Sequence, residues 1–448
     1  MTAGALGVLG VAGSDGKAEE ESIVDGGSDM VMPLLSGDMY RKALGRCLLQ
    51  SMNLMSNGVF TQPGTGRRYY SAYPGGILYD WDSYFEVIAQ LYFGWDIECA
   101  VSSFEMLLEG QDPQTGFAPR LWMSEAGGPE YALGRAEHAK PFFAQTACLI
   151  ASYLGSIDWL AELTFERMSR HLDYWLTARD TAGMGLSVWD SGPHSGMDTQ
   201  HERTGHWKDC FCAGVDINCY LVRECHALAE LARLLGDSDA AKVWDFRGDD
   251  LAGRIREKLW DEDDGLFHDL DTRTGERIPV RSVAAFASLW AGVATPEQAR
   301  RMVVGHLLNP VEFWRPYPLP ALAATEPGYS EESLPGDVGC NWRGCTWMLS
   351  NYYVCQGLRR YGYNELASIL AERSVELIKR AGSREWYTSD TGRGQGLDEF
   401  RGFSVTALFL PLEEEIGFDP TRIPADRNGW ASVSALLHEL ICQSALQA

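Results

Sequence analysis

The chain has 448 residues, 45% of them hydrophobic and 22% charged, and its 62 acidic against 38 basic residues give a net charge of −24. Those proportions exclude a mostly disordered chain. The charge disfavours phosphate backbones, so no nucleic-acid partner is expected, and without a run of 18 apolar residues no membrane-spanning helix is expected either. The start, Met1 to Lys17, is small and apolar with no basic region, and runs into acidic Lys17-Ala-Glu-Glu-Glu-Ser22. Residues 1–36 therefore read as a flexible leader rather than a secretory signal. The 11 cysteines are odd in number and scattered (Cys47, Cys99, Cys148, Cys225, Cys355 and Cys442 among them). They read as reduced thiols in a cytoplasmic protein.

From Gly37 one helical pattern follows another. Helices are expected at about 39–56, 82–92, 98–109, 142–154, 158–178, 214–236, 239–259, 280–292, 296–308, 343–362, 364–381 and 402–414, with a thirteenth near 430–445. Leu221, Cys225, Leu228, Leu231 and Leu235 keep the 3.6-residue period. Pro296 marks a first helical turn. The short turn at Gly236-Asp-Ser-Asp makes its two helices antiparallel neighbours. Short connections alternate with long loops at 57–81, 111–140, 182–213, 309–342 and 383–401. Long loops inside a compact domain usually carry function. With no βαβ alternation and no linker, residues 37–448 read as a single all-α domain, a closed ring of helical hairpins with a loop-lined mouth.

The loops hold the unusual residues. Pro74-Gly-Gly-Ile-Leu-Tyr-Asp-Trp-Asp-Ser-Tyr-Phe85 brings aromatics and two carboxylates to a helix start, where Asp82 reads as an N-cap or a substrate contact. Gln114-Thr-Gly-Phe-Ala-Pro-Arg120 ends in a cation. In Ser187-Val-Trp-Asp-Ser-Gly-Pro-His-Ser-Gly-Met-Asp198, Asp190 follows an indole, and apolar company raises a carboxyl pKa as a general acid requires. Asn341-Trp-Arg-Gly-Cys-Thr-Trp347 offers a guanidinium between aromatics. Glu385-Trp-Tyr-Thr-Ser-Asp-Thr-Gly-Arg-Gly-Gln-Gly-Leu-Asp-Glu399 is glycine-rich, but no strand precedes it and its end is acidic, so it is no phosphate loop. The 15 tryptophans suit sugar stacking or a large aromatic core. His206, Cys210 and Cys212 match no common zinc spacing, and no Gly-x-Ser-x-Gly elbow appears.

Taken together, these loops resemble the trehalase-related superfamily. Pro74-Gly-Gly with Tyr79, Trp81-Asp82 and Tyr84 is similar to the first trehalase signature, and Trp189-Asp190 to the loop of the general acid. Val215-Asp-Ile-Asn218 resembles a Val-Asp-Leu-Asn helix, and Leu259-Trp-Asp with Gly265 and Phe267-His-Asp269 resembles a further stretch. Asn341-Trp-Arg-Gly-x-Thr-Trp347 resembles a motif of glycoside hydrolase family 63. Glu399-Phe-Arg-Gly-Phe-Ser404 resembles the segment of the general base. The trehalase segment Gln-Trp-Asp-x-Pro-Asn-Gly-Trp has little counterpart here. Compact family 63 members, the mannosylglycerate and glucosylglycerate hydrolases, resemble the chain best.

The resemblance implies an (α/α)6 barrel that hydrolyses a small-molecule α-glycoside with inversion and without metal or organic cofactor. It implies Asp190 as general acid and Glu399 as general base. Tyr79, Trp81, Asp82, Gln145, Asn218 and Trp342 would hold the sugar ring, with Gln114 and Arg343 lining the same pocket. Arg120, Lys140, His194, Trp386 and Tyr387 are the candidates for the glycerate end. Asp216 reads as a buried structural carboxylate. A trehalase or α-glucosidase, and a sugar-binding barrel without turnover, are the alternatives.

Overall fold

The computed structural model describes residues 37–95, 97–123, 128–130, 137–333, 339–416 and 428–447, so the expected leader lies outside the described residues. In chain order the helices are α1 (Gly37–Met55), α2 (Asp80–Tyr92), α3 (Ile97–Glu109), α4 (Phe143–Leu154), α5 (Glu162–Ala178), the short α6 (His201–Thr204) and α7 (Val215–Leu234). They continue with α8 (Ser238–Lys258), α9 (Ala287–Trp290), α10 (Pro296–Met302), α11 (Met348–Arg360), α12 (Asn364–Ala381), α13 (Leu410–Ile416) and α14 (Asn428–Ala445). The inner wall closes on itself. α2 packs on α4, α4 on α7, α7 on α9, α9 on α11, and α11 on the helical turn Phe403–Leu408, which returns to α2. This is the expected (α/α)6 barrel.

Sequence decides which helices go inside. Every residue of α2 is buried, as are eleven of the thirteen in α11. Both are rich in aromatic and aliphatic residues around their circumference, and the polar ones they carry, Asp80, Asp82 and Glu86 in α2 and Asn351 and Gln356 in α11, are buried with them. Outer helices such as α5 and α12 bury one stripe and expose the rest. The α7–α8 hairpin turns at Gly236 with φ +83°, and the Asp237 carboxylate caps α8 by accepting from the Asp239 and Ala240 amides. At α10 the Thr295–Gln298 capping box and Pro296 set the start.

Three expected helices differ. The 280–292 segment is a tight turn, Val283–Phe286, followed by one turn of α9. Beyond Gly402, the Phe403–Leu408 turn precedes α13. Residues 343–347 stay extended, because Cys345–Thr346 pairs with the strand Trp386–Thr388. That strand pairs in turn with Gly394–Gln395. A second small antiparallel sheet joins Leu78–Tyr79 to Leu121–Met123, with Tyr79 opposite Leu121. These sheets fix the mouth loops.

Buried carboxylates serve the inner helix starts. Glu224 accepts the Ala144 amide (2.6 Å) and the Gln145 amide (3.2 Å) at the start of α4. Asp269 accepts the Val215 amide (2.7 Å) at the start of α7. Arg203, fully buried, joins Asp269 to Asp216, the latter at 2.6 Å, and Trp189 Nε1 also donates to Asp216. Asp216 is thus a structural carboxylate, as the sequence suggests. Removing one partner of a buried ion network leaves uncompensated charge. Arg203→Met is expected to cost about 3–5 kcal/mol, read from the urea midpoint, and an unchanged midpoint would refute this role.

Candidate active site

The barrel mouth is organised by the first four residues after Leu78. Asp80 opens α2, and its carboxylate accepts the Trp81 amide (2.8 Å) and the Lys140 amide (2.7 Å). Lys140 Nζ lies 3.2 Å from Asp80, both side chains fully buried, and 5.0 Å from the Trp81 ring centre. Burial pushes Asp80 up, but Lys140, Arg120 and the two amides hold it below the usual carboxylate range. Asp82, one residue further on, takes the Tyr73 hydroxyl at 3.1 Å. Burial and the neighbouring Asp80 push it up to about 6. So Asp82 is no helix cap; the cap position is Tyr79, with no side-chain cap bond, and Asp80 is the first residue of α2.

Arg120 completes this floor. Its Nη1 donates to Glu137 (2.7 Å), and its guanidinium lies 6.0 Å from the Tyr79 ring centre. Its buried Nε has no partner among the described residues.

Two further carboxyls face this floor. Asp198 ends the 187–198 loop and is partly exposed; Cys340 Sγ donates to its Oδ2 at 3.1 Å. Burial raises its pKa, against the pull of Arg120 and Lys140. Glu385 precedes the strand Trp386–Thr388, and its carboxylate accepts the Leu397 amide at 3.2 Å. Burial, then the charges of Asp82 and Asp198, push it up to about 7. The Tyr79 hydroxyl lies in the field of Arg120, Asp82, Asp198 and Glu385 together. Carboxyls sharing one low-dielectric space cannot all ionise. One neutral and one ionised carboxyl near neutral pH is what paired acid–base chemistry uses.

Local backbone explains these positions. Gly196, two residues before Asp198, has φ +80°, and a Cβ there would lie 2.5 Å from the Trp81 ring. Only glycine meets both demands. The same loop is strapped to the opposite side of the mouth: Thr199 Oγ1 accepts the Trp342 amide (2.9 Å), and Gln200 Nε2 donates to the Trp342 carbonyl (2.8 Å). Behind it stands a row of indoles. Trp342 and Trp347 stack at 3.8 Å and 8°, Trp347 and Trp386 at 4.9 Å, and Trp81 leans on Trp342 at 5.8 Å. Their faces are largely taken up by one another, so they wall the site more than they offer open platforms.

Of the sequence-derived candidates, Tyr79, Trp81, Asp82, Arg120, Lys140, Trp342 and Trp386 meet at this mouth. Others go elsewhere. One Asp190 oxygen is 3.0 Å from Arg179 Nη2, and the other takes the His138 amide at 2.9 Å. Glu399 is exposed, has φ +50°, and lines a separate cleft of about 400 Å³ between α1 and the end of α12.

Asn218 uses its whole amide on the Ser187 and Gly214 backbone, so it ties the loop to α7 instead of holding a sugar. His194 spends both ring nitrogens, on the Asp190 amide and the His138 carbonyl. The buried Tyr387 hydroxyl bonds the Arg384 amide and the Gly382 carbonyl. Gln145 bridges Arg223 and Glu224 away from the mouth. Gln114 lies on an exposed turn against α5. Arg343 is buried and reaches the Glu332 carbonyl at 3.4 Å, bracing its own loop.

Sequence reasoning missed Asp80, Asp198 and Glu385. A signal was present. Glu385 sits directly beside Trp386-Tyr387, the apolar company credited to Asp190, and Asp198 follows a glycine turn. Among the described residues no three His, Cys, Asp or Glu side chains are grouped to hold a metal.

Residues 73–404 match the family model described as the mannosylglycerate hydrolase MGH1-like glycoside hydrolase domain. The mannosylglycerate hydrolase of Thermus thermophilus is 35% identical over 199 residues, 44% of either chain. That of Rubrobacter radiotolerans is 31% identical over 196 residues, 44% of this chain and 43% of the other. The chain thus aligns with under half the length of these curated relatives. The crystal structure of the family 63 mannosylglycerate hydrolase from Thermus thermophilus, in complex with Tris and D-glycerate, superposes with a TM-score of 0.66. The superposition covers 80% of this chain and 98% of that one, at 22% identity.

The Gly196 contact yields a test. Gly196→Ala must displace the Trp81 ring or the turn, and it is expected to destabilise the fold by about 1–3 kcal/mol and to alter the near-ultraviolet circular dichroism of the indole row. A spectrum and melting temperature equal to wild type would show that the contact is not tight.

Proposed function

The chain belongs to the mannosylglycerate hydrolase MGH1-like glycoside hydrolase family, and on that premise we propose that it hydrolyses a hexosyl-glycerate, releasing mannose or glucose with inversion at the anomeric carbon. Residues 37–448 form one catalytic barrel in this reading. Asp198 is the general acid, in the loop that the resemblance assigns to that role, and Glu385 is the general base, upstream of the Glu399–Ser404 segment that the resemblance assigns to it. Asp190 and Glu399 are replaced. The observation that carries the reading is that two carboxyls with raised pKa, from loops far apart in sequence, share the field around Tyr79.

The chemistry follows from that pair. Asp198 protonates the glycosidic oxygen, and Glu385 takes a proton from the water that attacks the opposite face. Such a water needs the two carboxyls roughly 6.5–9.5 Å apart. Asp82 and Tyr73 bind sugar hydroxyls. The Lys140–Asp80 pair keeps the floor rigid and supplies positive field to the acid loop. No cofactor enters the reaction. At the aglycone end Arg120 and Lys140 already hold Glu137 and Asp80, so neither waits unpaired for substrate. Arg120 keeps a buried Nε with no partner among the described residues, and is the residue for the glycerate carboxylate.

Asp198→Asn and Glu385→Gln are each expected to fold, by circular dichroism, yet lose about a thousandfold in kcat, because general acid–base groups contribute about 10²–10⁴. Glu399→Gln should stay within about twofold. The active form carries one proton on the pair. Turnover needs the proton on Asp198 and Glu385 ionised: protonation of Glu385, whose pKa is raised to about 7, removes the base, and ionisation of Asp198, whose pKa burial raises, removes the acid. The kcat profile is therefore a bell with the Glu385 limb near neutrality, and Glu385→Gln removes that limb. Near-wild-type turnover in either variant, or a flat profile, would sink the assignment.

Arg120→Met should raise KM for mannosylglycerate or glucosylglycerate about tenfold or more, as one charge-assisted bond is worth roughly 1.5–3 kcal/mol. It should leave the slow cleavage of uncharged glucosylglycerol nearly unchanged. Released hexose decides. Trehalose or glucosylglycerol cleaved as well as the glycerates would replace this substrate with a neutral glycoside.

A further inference from the structure

Away from the mouth, a solvent-open cavity of about 330 Å³ runs along α4 and α7. Its inner end is closed by Tyr84, which stacks on Phe142 at 5.0 Å. At the outer end Arg233 is neutralised by Glu230 (3.1 Å) and by Asp245. The inner end differs.

Arg223 is 9% exposed, with its guanidinium 3.8 Å from the Trp290 ring centre. Its hydrogen bonds go to neutral oxygens, Gln145 Oε1 (2.8 Å) and the Trp290 carbonyl (3.4 Å). No carboxylate forms an ion pair with it among the described residues. Glu224 makes no ion pair with it and is bonded to it through Gln145 Nε2 (3.2 Å); burial pushes that carboxyl up to about 7, with the Arg223 charge pulling only weakly the other way. A buried charge without a paired counter-ion is costly. Ser152, also on the cavity wall and 8% exposed, has a hydroxyl with no partner among the described residues. It lies two helical turns beyond Gln145 on α4, roughly 10 Å along the axis. The space between carries a cation at one end, an unsatisfied hydroxyl at the other and apolar sides from Leu149 and Ala227.

We propose that this cavity is a second, non-catalytic binding site for a small hydroxylated carboxylate, up to a six-carbon sugar acid in size, seated with its carboxylate on Arg223 and a hydroxyl on Ser152. The ligand supplies the counter-charge that the fold leaves out. It also reaches Glu224 through Gln145 and so bears on the start of α4, an inner wall of the barrel. This site does not depend on the proposed reaction, since no residue of the catalytic mouth takes part.

The test is calorimetric binding of D-gluconate and D-glycerate to the full chain, with glycerol as the neutral counterpart. The wild type is expected to show a site that Arg223→Gln weakens tenfold or more. Ser152→Leu, which fills the cavity without touching the charge, should abolish the same site. Both variants should retain wild-type turnover without added ligand, which marks them as folded. Glycerol should not compete. The proposal is overturned if the wild type binds neither acid beyond the catalytic mouth, if both variants bind with unchanged stoichiometry and affinity, or if glycerol binds equally well.

Discussion

The mouth of this barrel holds more negative charge than it can neutralise. Asp80, Asp82, Glu137, Asp198 and Glu385 converge there on two cations, Lys140 and Arg120. Each cation is already matched, Lys140 by Asp80 and Arg120 by Glu137. Among the described residues no further cation is paired with the remaining carboxyls, Asp82, Asp198 and Glu385. Protons must make up the difference. Burial first, and then that imbalance where Asp80 faces Asp82 and where Asp82 and Asp198 face Glu385, gives ordinary Asp and Glu side chains their raised pKa values. In a chain of net charge −24 the surrounding field pushes the same way.

Much of the architecture is legible in the sequence because it rests on local rules. α7 and α8 follow from periodicity, a glycine turn and a capping Asp, and α10 from Thr295-Pro296 and Gln298. What the sequence conceals is which of two nearby groups wins a contact. Asp80 and Asp82 both stand at the start of α2. Lys140, sixty residues on, selects Asp80, and that leaves Asp82 to the Tyr73 hydroxyl. Asp190 and Asp198 share one loop. Arg179 at the end of α5 takes the first, while the left-handed turn at Gly196 carries the second to the mouth.

The candidate ligand contacts diverge for a related reason. Residue type gives a side chain's hydrogen-bonding capacity, but not whether the fold has already used it. Asn218, His194 and Tyr387 look available in the sequence and are fully occupied in the structure. Arg120 looks like one cation among several and keeps a donor in reserve. Aromatic residues show the same effect, because Trp81, Trp342, Trp347 and Trp386 are spent chiefly on each other.

Closure of the ring has a consequence for how the molecule is made. α2 is buried on every side, and its last neighbour in the wall is the turn Phe403–Leu408. The loop before that turn is fastened to the first mouth segment by Arg401, whose guanidinium donates to the Ala72 and Tyr73 carbonyls, and by the Tyr70 hydroxyl on the Arg401 carbonyl. A ribosome delivers α2 early and that turn late. For most of synthesis the nascent chain must carry an unsealed apolar helix, and pairing across so long a stretch of polypeptide is intrinsically slow. The emerging chain is therefore exposed to aggregation in proportion to elongation time, and the barrel mouth, which is assembled from both ends of the ring, is among the last parts of the protein to exist.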